Sequence, residues 1–229
     1  KSDLNISNSK KFAINFLNKY QKFIKKNIKQ SKNLFFIRHN KTVYNKNIFL
    51  GQKLNPSIKS KKINSKLNKM KFDFCYSSPL KRCIDTAKLL SFKELQTNNL
   101  LKEINYGLVE GLDLSSVKKK FPYLIKNWVK KKDPSFPDGE SSSDVLKRIK
   151  KFLKIFNKET NKNKGKNIII ITHNVLLRCL LGDHFKIIKD KWYRISINYS
   201  DLLEFIIFNK EIRSNINRKK IFKIFKMLN

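Results

Sequence analysis

Only three histidines occur in the 229-residue chain, and two of them close apolar runs of nearly the same wording. One run is LFFIRHN, Leu34 to Asn40; the other is IIIITHN, Ile168 to Asn174. Four apolar residues in succession read as a strand buried on both faces, so Arg38 and His39 stand at the carboxyl end of one strand and Thr172, His173 and Asn174 at that of another. Open α/β sheets place ligands at such ends. A neutral imidazole is a nucleophile or base, and an arginine beside it is a fork for anionic oxygens. The expected chemistry therefore centres on an anionic group held between two strand ends. A third contributor is Arg82 in SSPLKRCIDTA, where Ser77 or Ser78 could cap a helix and Pro79 suits its first turn; a helix amino end with an arginine is a ready anion site.

The elements that must carry these residues alternate between strand and helix. Lysine-rich Ile58 to Met70 reads as a surface helix and Phe72 to Tyr76 as a buried strand, with a third strand around Glu94 to Leu101. Gly107 and Gly111 imply tight turns, residues 114–131 a helix, and Asp138 or Ser141 a cap for a helix running to about Asn157. After the strand Ile168 to Ile171 come a helix over Asn174 to Leu181, strand-like segments at Arg194 to Tyr199 and Leu202 to Phe208, and a basic helical tail from about Asn215. This order predicts an α/β fold, a three-layer α/β/α sandwich with a largely parallel, mixed central sheet. We divide the chain into a basic extension over 1–32, a domain over 33–208 and a basic tail over 209–229. In the first of these, Phe12, Phe16, Tyr20, Phe23, Ile24 and Ile28 recur at helical spacing and read as an amphipathic helix packed on the domain; a targeting segment is the alternative.

Composition narrows the function classes. The formal charge is +35, from 52 Lys+Arg against 17 Asp+Glu, but only seven of the 52 are arginine and the lysines run through the whole chain. We read this as a solvated surface, with neither nucleic acid nor membrane as a specific partner. Three scattered cysteines, with no metal-ligand spacing, indicate a reducing compartment and no structural zinc. No apolar run approaches the ~20 residues needed to cross a bilayer. A cytoplasmic protein is expected, with an organelle as the alternative, and either monomer or homodimer is open. GxxxxGK and GxSxG motifs are absent from the sequence.

Five ordered segments then resemble the motifs of the histidine phosphatase superfamily, the phosphoglycerate mutase-like fold. They are RHNKTxxN at Arg38 to Asn45, SSPLKRCIDTA at Ser77 to Ala87, LKEINYGLVEG at Leu101 to Gly111, PDGES at Pro137 to Ser141 and ITHNVLLR at Ile171 to Arg178. The resemblance implies that His39 becomes phosphorylated, that Arg38, Arg82 and His173 surround the transferred phosphoryl group, and that Glu103 protonates the leaving oxygen. Thr42, Asn45, Gly51 and the backbone at Asn174 would line the substrate cleft. It implies no metal and no organic cofactor. The compact interval holding PDGES points to the phosphatase branch acting on a small phosphomonoester. Mutase-type phosphotransfer is the runner-up, and an inactive basic binding scaffold is remote.

Competing readings sharpen the expectations. Glu110 shares the loop of Glu103; His184 reads as a loop residue, Arg148 and Arg178 as structural, and Cys83 as packing. Relatives usually carry glycine where this chain has Asn40 and Asn174. Asparagine tolerates positive φ, so the backbone is expected to be kept, with the Asn40 side chain near the pocket. Lys41 and Leu50 are further departures.

Overall fold

The computed structural model describes residues 31–44, 47–160, 165–209 and 211–225. The helix expected over 1–32 lies almost wholly outside them, and so does Asn45. Six strands form one sheet: β1 (Lys32–Arg38), β2 (Lys71–Ser77), β3 (Ser91–Thr97), β4 (Asn167–Thr172), β5 (Leu202–Phe208) and β6 (Glu211–Ser214), in the order β3-β2-β4-β1-β5-β6. The first four are parallel, β5 runs antiparallel to β1, and β6 antiparallel to β5. Strand β4 is central, and its alternation explains why it is apolar throughout. Ile168 and Ile170 join Leu34, Phe36, Phe74 and Tyr76 beneath helices α5 (Ser142–Thr160) and α6 (Asn174–His184). Ile169 and Ile171 join Phe35, Ile37 and Cys75 on the other face, against Cys83 and Ala87 of α2 (Lys81–Ala87). Helices on both faces make the expected three-layer α/β/α sandwich.

Helix α5 begins as the sequence suggests. Ser141 and Asp144 cap it reciprocally: the Ser141 amide donates to Asp144 Oδ2 at 3.0 Å and the Asp144 amide to Ser141 Oγ at 3.2 Å. Asp133 accepts from the Ser142 and Ser143 amides at 3.0 and 2.9 Å, so the four-residue start of the helix is fully furnished with acceptors.

Elsewhere the local reading needs correction. Ile58 to Met70 is mostly extended loop, with one helical turn, α1 (Ser65–Asn68), starting where the Asn64 side chain accepts from the Lys66 amide. The third strand ends at Thr97, because the Asn98 side chain caps a 3-10 turn over Asn99–Leu101. Residues 114–131 form two helices, α3 (Leu114–Lys120) and α4 (Pro122–Val129), since Pro122 has no amide with which to continue α3. Arg194 to Tyr199 is no sheet strand: its Ile195 and Ile197 carbonyls accept from arginine side chains instead. His184 ends α6 and packs edge-on to Phe185 and Phe205. The sheet also runs past residue 208 into β6, and Ile216 with Ile221 and Ile224 of helix α7 (Arg218–Phe225) packs into the main core. No helix among the described residues is long and apolar enough to cross a membrane.

Candidate active site

Neighbouring parallel strands with no crossing element between their ends bring the two HN segments together. Arg38 of β1 pairs in register with Thr172 of β4, and the His39 amide donates to the Thr172 carbonyl at 2.9 Å. The two rings meet edge to face, their centroids 5.1 Å apart. His39 Nδ1 lies 2.7 Å from the Asn40 carbonyl. A carbonyl only accepts, so Nδ1 carries the proton and Nε2 keeps its lone pair. Burial, followed by the Arg82 charge, holds this imidazole well below its usual pKa; the Asn40 bond opposes them, and the Arg38 charge adds a smaller push downward. His39 is thus neutral at physiological pH, as a nucleophile must be.

His173 is seated differently. Its Nδ1 accepts from Arg82 Nε at 3.2 Å, which puts its own proton on Nε2, 2.8 Å from Ser78 Oγ. Both ring nitrogens are therefore engaged by protein, and burial with the Arg82 charge keeps this ring neutral too. Cys83 Sγ lies 3.4 Å from the same Nε2, and burial pushes its thiol far above the ordinary range. Ser78, which was a candidate helix cap, is used here; α2 starts after Leu80 without a side-chain cap.

Arg82 is fully buried and donates from Nη2 to the Gly51 carbonyl at 2.6 Å and from Nη1 to that of Leu54 at 3.2 Å. Loop 51–54 is in turn gathered by Glu110, whose carboxylate accepts the amides of Gly51, Gln52, Lys53 and Leu54 at 2.7 to 3.2 Å. A Cβ at Gly51 would stand 2.9 Å from both Glu110 Oε2 and the Ile104 carbonyl, so glycine is required for this close approach. Glu110 is accordingly committed to holding the arginine's support.

Glu103 sits at the amino end of α6. Its Oε1 accepts from the Ile104 amide at 3.0 Å and the Val175 amide at 3.2 Å. Arg148 fixes the backbone beneath it, donating to the carbonyls of Leu100 at 2.8 Å and Glu103 at 3.0 Å while paired with Glu140 of PDGES. Arg148 is structural as expected; its support of the loop that carries Glu103 was not visible from its lysine-rich helix.

Arg38 donates from Nη1 to the Ile197 carbonyl at 2.8 Å and stacks on Tyr199, 3.9 Å from guanidinium carbon to ring centre. Its Nε is buried with no acceptor, as is Oδ1 of Asn174 without a donor. A buried guanidinium N–H lacking an acceptor is costly unless an anion supplies one. Tyr199, 5.8 Å ring to ring from His39, belongs to no motif and was not anticipated. Thr42 is buried and bridges to Ile58 through its backbone.

Asn40 overturns two expectations. Neither it nor Asn174 has positive φ, and the Asn40 side chain turns away from the pocket. Nδ2 donates to the carbonyls of Ser60 and Lys62 at 2.9 and 2.7 Å, and Oδ1 accepts from the Lys41 amide at 2.8 Å. The asparagine ties loop 58–63 to the strand end, a bond glycine could not make.

The chain belongs to the histidine phosphatase superfamily (branch 1), which it matches over residues 34–215. Among curated relatives, phosphoserine phosphatase 1 of Hydrogenobacter thermophilus is 29% identical over 53% of this chain and 58% of its own length, so the match spans little more than half of that protein. A 2,3-bisphosphoglycerate-dependent phosphoglycerate mutase of Methanococcus vannielii is 28% identical over 72% of this chain and 86% of its own. Of solved structures, YhfR of Bacillus stearothermophilus superposes with a TM-score of 0.68 at 18% identity, covering 81% of this chain and 96% of that one.

His39 and His173 are buried and neutral, and His184, half-buried, has its pKa pushed down to about 4, chiefly by burial of its ring. Each folded-state pKa lies below the unfolded value, so unfolding takes up protons once the pH falls under ~6.5. Stability is fully present above that value. Below it, each histidine still neutral in the fold removes about 1.4 kcal/mol per pH unit. The urea midpoint should therefore fall clearly between pH 7.5 and 5.0; equal midpoints would show that the imidazoles are already charged in the fold.

Proposed function

We propose that the protein hydrolyses a small phosphomonoester through a phosphohistidine at His39. The observation that carries this is the seating of His39: Nδ1 is held by the Asn40 carbonyl, Nε2 keeps its lone pair, and the ring lies in the field of Arg82 and Arg38. Nε2 attacks phosphorus in line, and the bond to the ester oxygen breaks. Charge on the phosphoryl oxygens meets Arg38, whose unpaired Nε offers a donor, and Arg82, which retains two of its five N–H groups beyond the three bonds it makes to protein. Glu103 gives the departing oxygen a proton. Water then attacks phosphorus from the vacated side, Glu103 takes its proton, the P–N bond breaks and inorganic phosphate leaves. His173 orients Arg82 and walls the pocket in this scheme. Thr42, Asn45, Gly51 and the Asn174 backbone remain assigned to the cleft wall, Gly51 through its carbonyl on Arg82.

Phosphatase-named relatives support hydrolysis, while the long match to a phosphoglycerate mutase keeps phosphotransfer as the second reading. A panel of phosphorylated metabolites, assayed with and without a bisphosphorylated sugar-acid primer, separates them. Phosphate release without primer, with acid-labile label on His39, is expected. Primer-dependent isomerisation without release would establish the mutase instead.

A further inference from the structure

Arg178 was expected to be structural, and part of it is. One turn beyond Asn174 on α6, it donates from Nε to the Ile195 carbonyl at 2.8 Å. Arg38 makes the matching bond to Ile197 at the same distance. Between them the chain is extended: Ile195 has φ −65° and ψ 119°, and Ile195 and Ile197 are buried while Ser196 and Asn198 are exposed. Carbonyls two residues apart on an extended chain point to the same side, roughly 7 Å from one another. The two guanidinium groups thus stand side by side along one wall.

Their surroundings differ from those of an ordinary structural pair. Neither arginine has a carboxylate within ion-pair distance among the described residues. Arg178 is part-buried, and its terminal nitrogens are neither fully enclosed nor bonded to protein among the described residues. Besides its helix neighbour Cys179, the groups it feels are Tyr106, Arg38 and Glu103, and Glu103 is a carboxylate that Arg38 feels as well. A strap to one backbone carbonyl needs only Nε; the outward fork of Nη1 and Nη2 has no structural use.

We infer that Arg178 forms a second anion subsite of the cleft, taking a carboxylate carried by the alcohol portion of the phosphorylated substrate. The substrate class is then phosphorylated hydroxy acids. Two coplanar N–H donors match a carboxylate bidentately, and one guanidinium charge balances a carboxylate monoanion where a second phosphate dianion would be left half neutralised. The substrate assignment rests on the phosphatase reading, but the subsite can be tested by binding alone.

The probes are 3-phosphonopropionate and propylphosphonate, which share a phosphonate that cannot be hydrolysed and differ in the carboxylate. Calorimetry on the full chain should show the carboxylated probe binding about 10-fold or more tighter, as expected for one charge-assisted pair. Arg178→Gln should erase that preference and leave propylphosphonate within about threefold. Arg178→Lys should keep a reduced preference, and it remains informative should the glutamine variant fold poorly. Equal affinities in the native chain, absence of binding by both probes, a preference that survives Arg178→Gln, or equal weakening of both probes would each overturn the subsite. A clear preference in a protein that releases phosphate from no ester would instead leave the subsite standing and remove the phosphatase reading.

Discussion

His39→Asn should lower kcat/KM for every hydrolysed ester by about 10⁴-fold or more, the scale on which covalent enzymes lose activity with their nucleophile. The amide can still donate to the Asn40 carbonyl, the bond that now holds the imidazole at 2.7 Å. Lost activity with a retained thermal transition is thus the expected pair of results. Label from a phosphorylated substrate, trapped by denaturation in alkali, should appear on the native chain and vanish from the variant. The substitution carries a second signature of opposite sign. His39 is held well below its normal pKa by burial and by Arg82 and Arg38, so it is one of the groups that must take up a proton when the chain unfolds in acid. Removing it should leave the variant less sensitive to acidification between pH 6.5 and 5 by about 1.4 kcal/mol per unit at most. More than about one per cent residual turnover with no label on the native chain would point to a mechanism without phosphohistidine.

The position of His39 beside His173 was legible because strands buried on both faces are written as unbroken apolar runs, and β1 and β4 are neighbours whose carboxyl ends coincide. Arg82 and Glu103 came from motif order, and they do converge on the same strand ends. What stayed hidden depends on contacts distant in sequence. Asn40 binds carbonyls 20 and 22 residues away, and no local preference announces a clamp of that kind. Reading asparagine as a substitute for glycine's φ missed that its value lay in a side chain. Glu110 was a rival acid by proximity alone; its four backbone amides identify a loop anchor only once the 51–54 turn is folded. Arg194 to Tyr199 has the alternation of a strand, yet its carbonyls serve Arg38 and Arg178, so the period reported burial correctly and pairing wrongly. Tyr199, the ring over Arg38, sits on that same misread segment.

Glu103→Gln discriminates between the two proton-transfer roles assigned to this side chain. A glutamine keeps a carbonyl oxygen to accept from the Ile104 and Val175 amides, which now lie 3.0 and 3.2 Å from Oε1, so the loop should hold its place. What disappears is the transferable proton. With an alkyl phosphate the departing alkoxide is poor, and the rate should fall by about 10²- to 10⁴-fold. A nitrophenyl phosphate leaves as a stable phenolate and asks for no proton, so its first step should stay within about tenfold of the native rate. The second step still needs a base for water. The variant should therefore release one equivalent of nitrophenol per active site in a burst, then turn over slowly while phosphohistidine accumulates at His39. Equal losses for alkyl and aryl esters in the burst phase would remove Glu103 as the acid. A normal first step with no accumulation would remove it as the base. Glu110→Gln provides the contrast, because a side chain that holds the Arg82 support should impair both esters alike and leave no trapped intermediate.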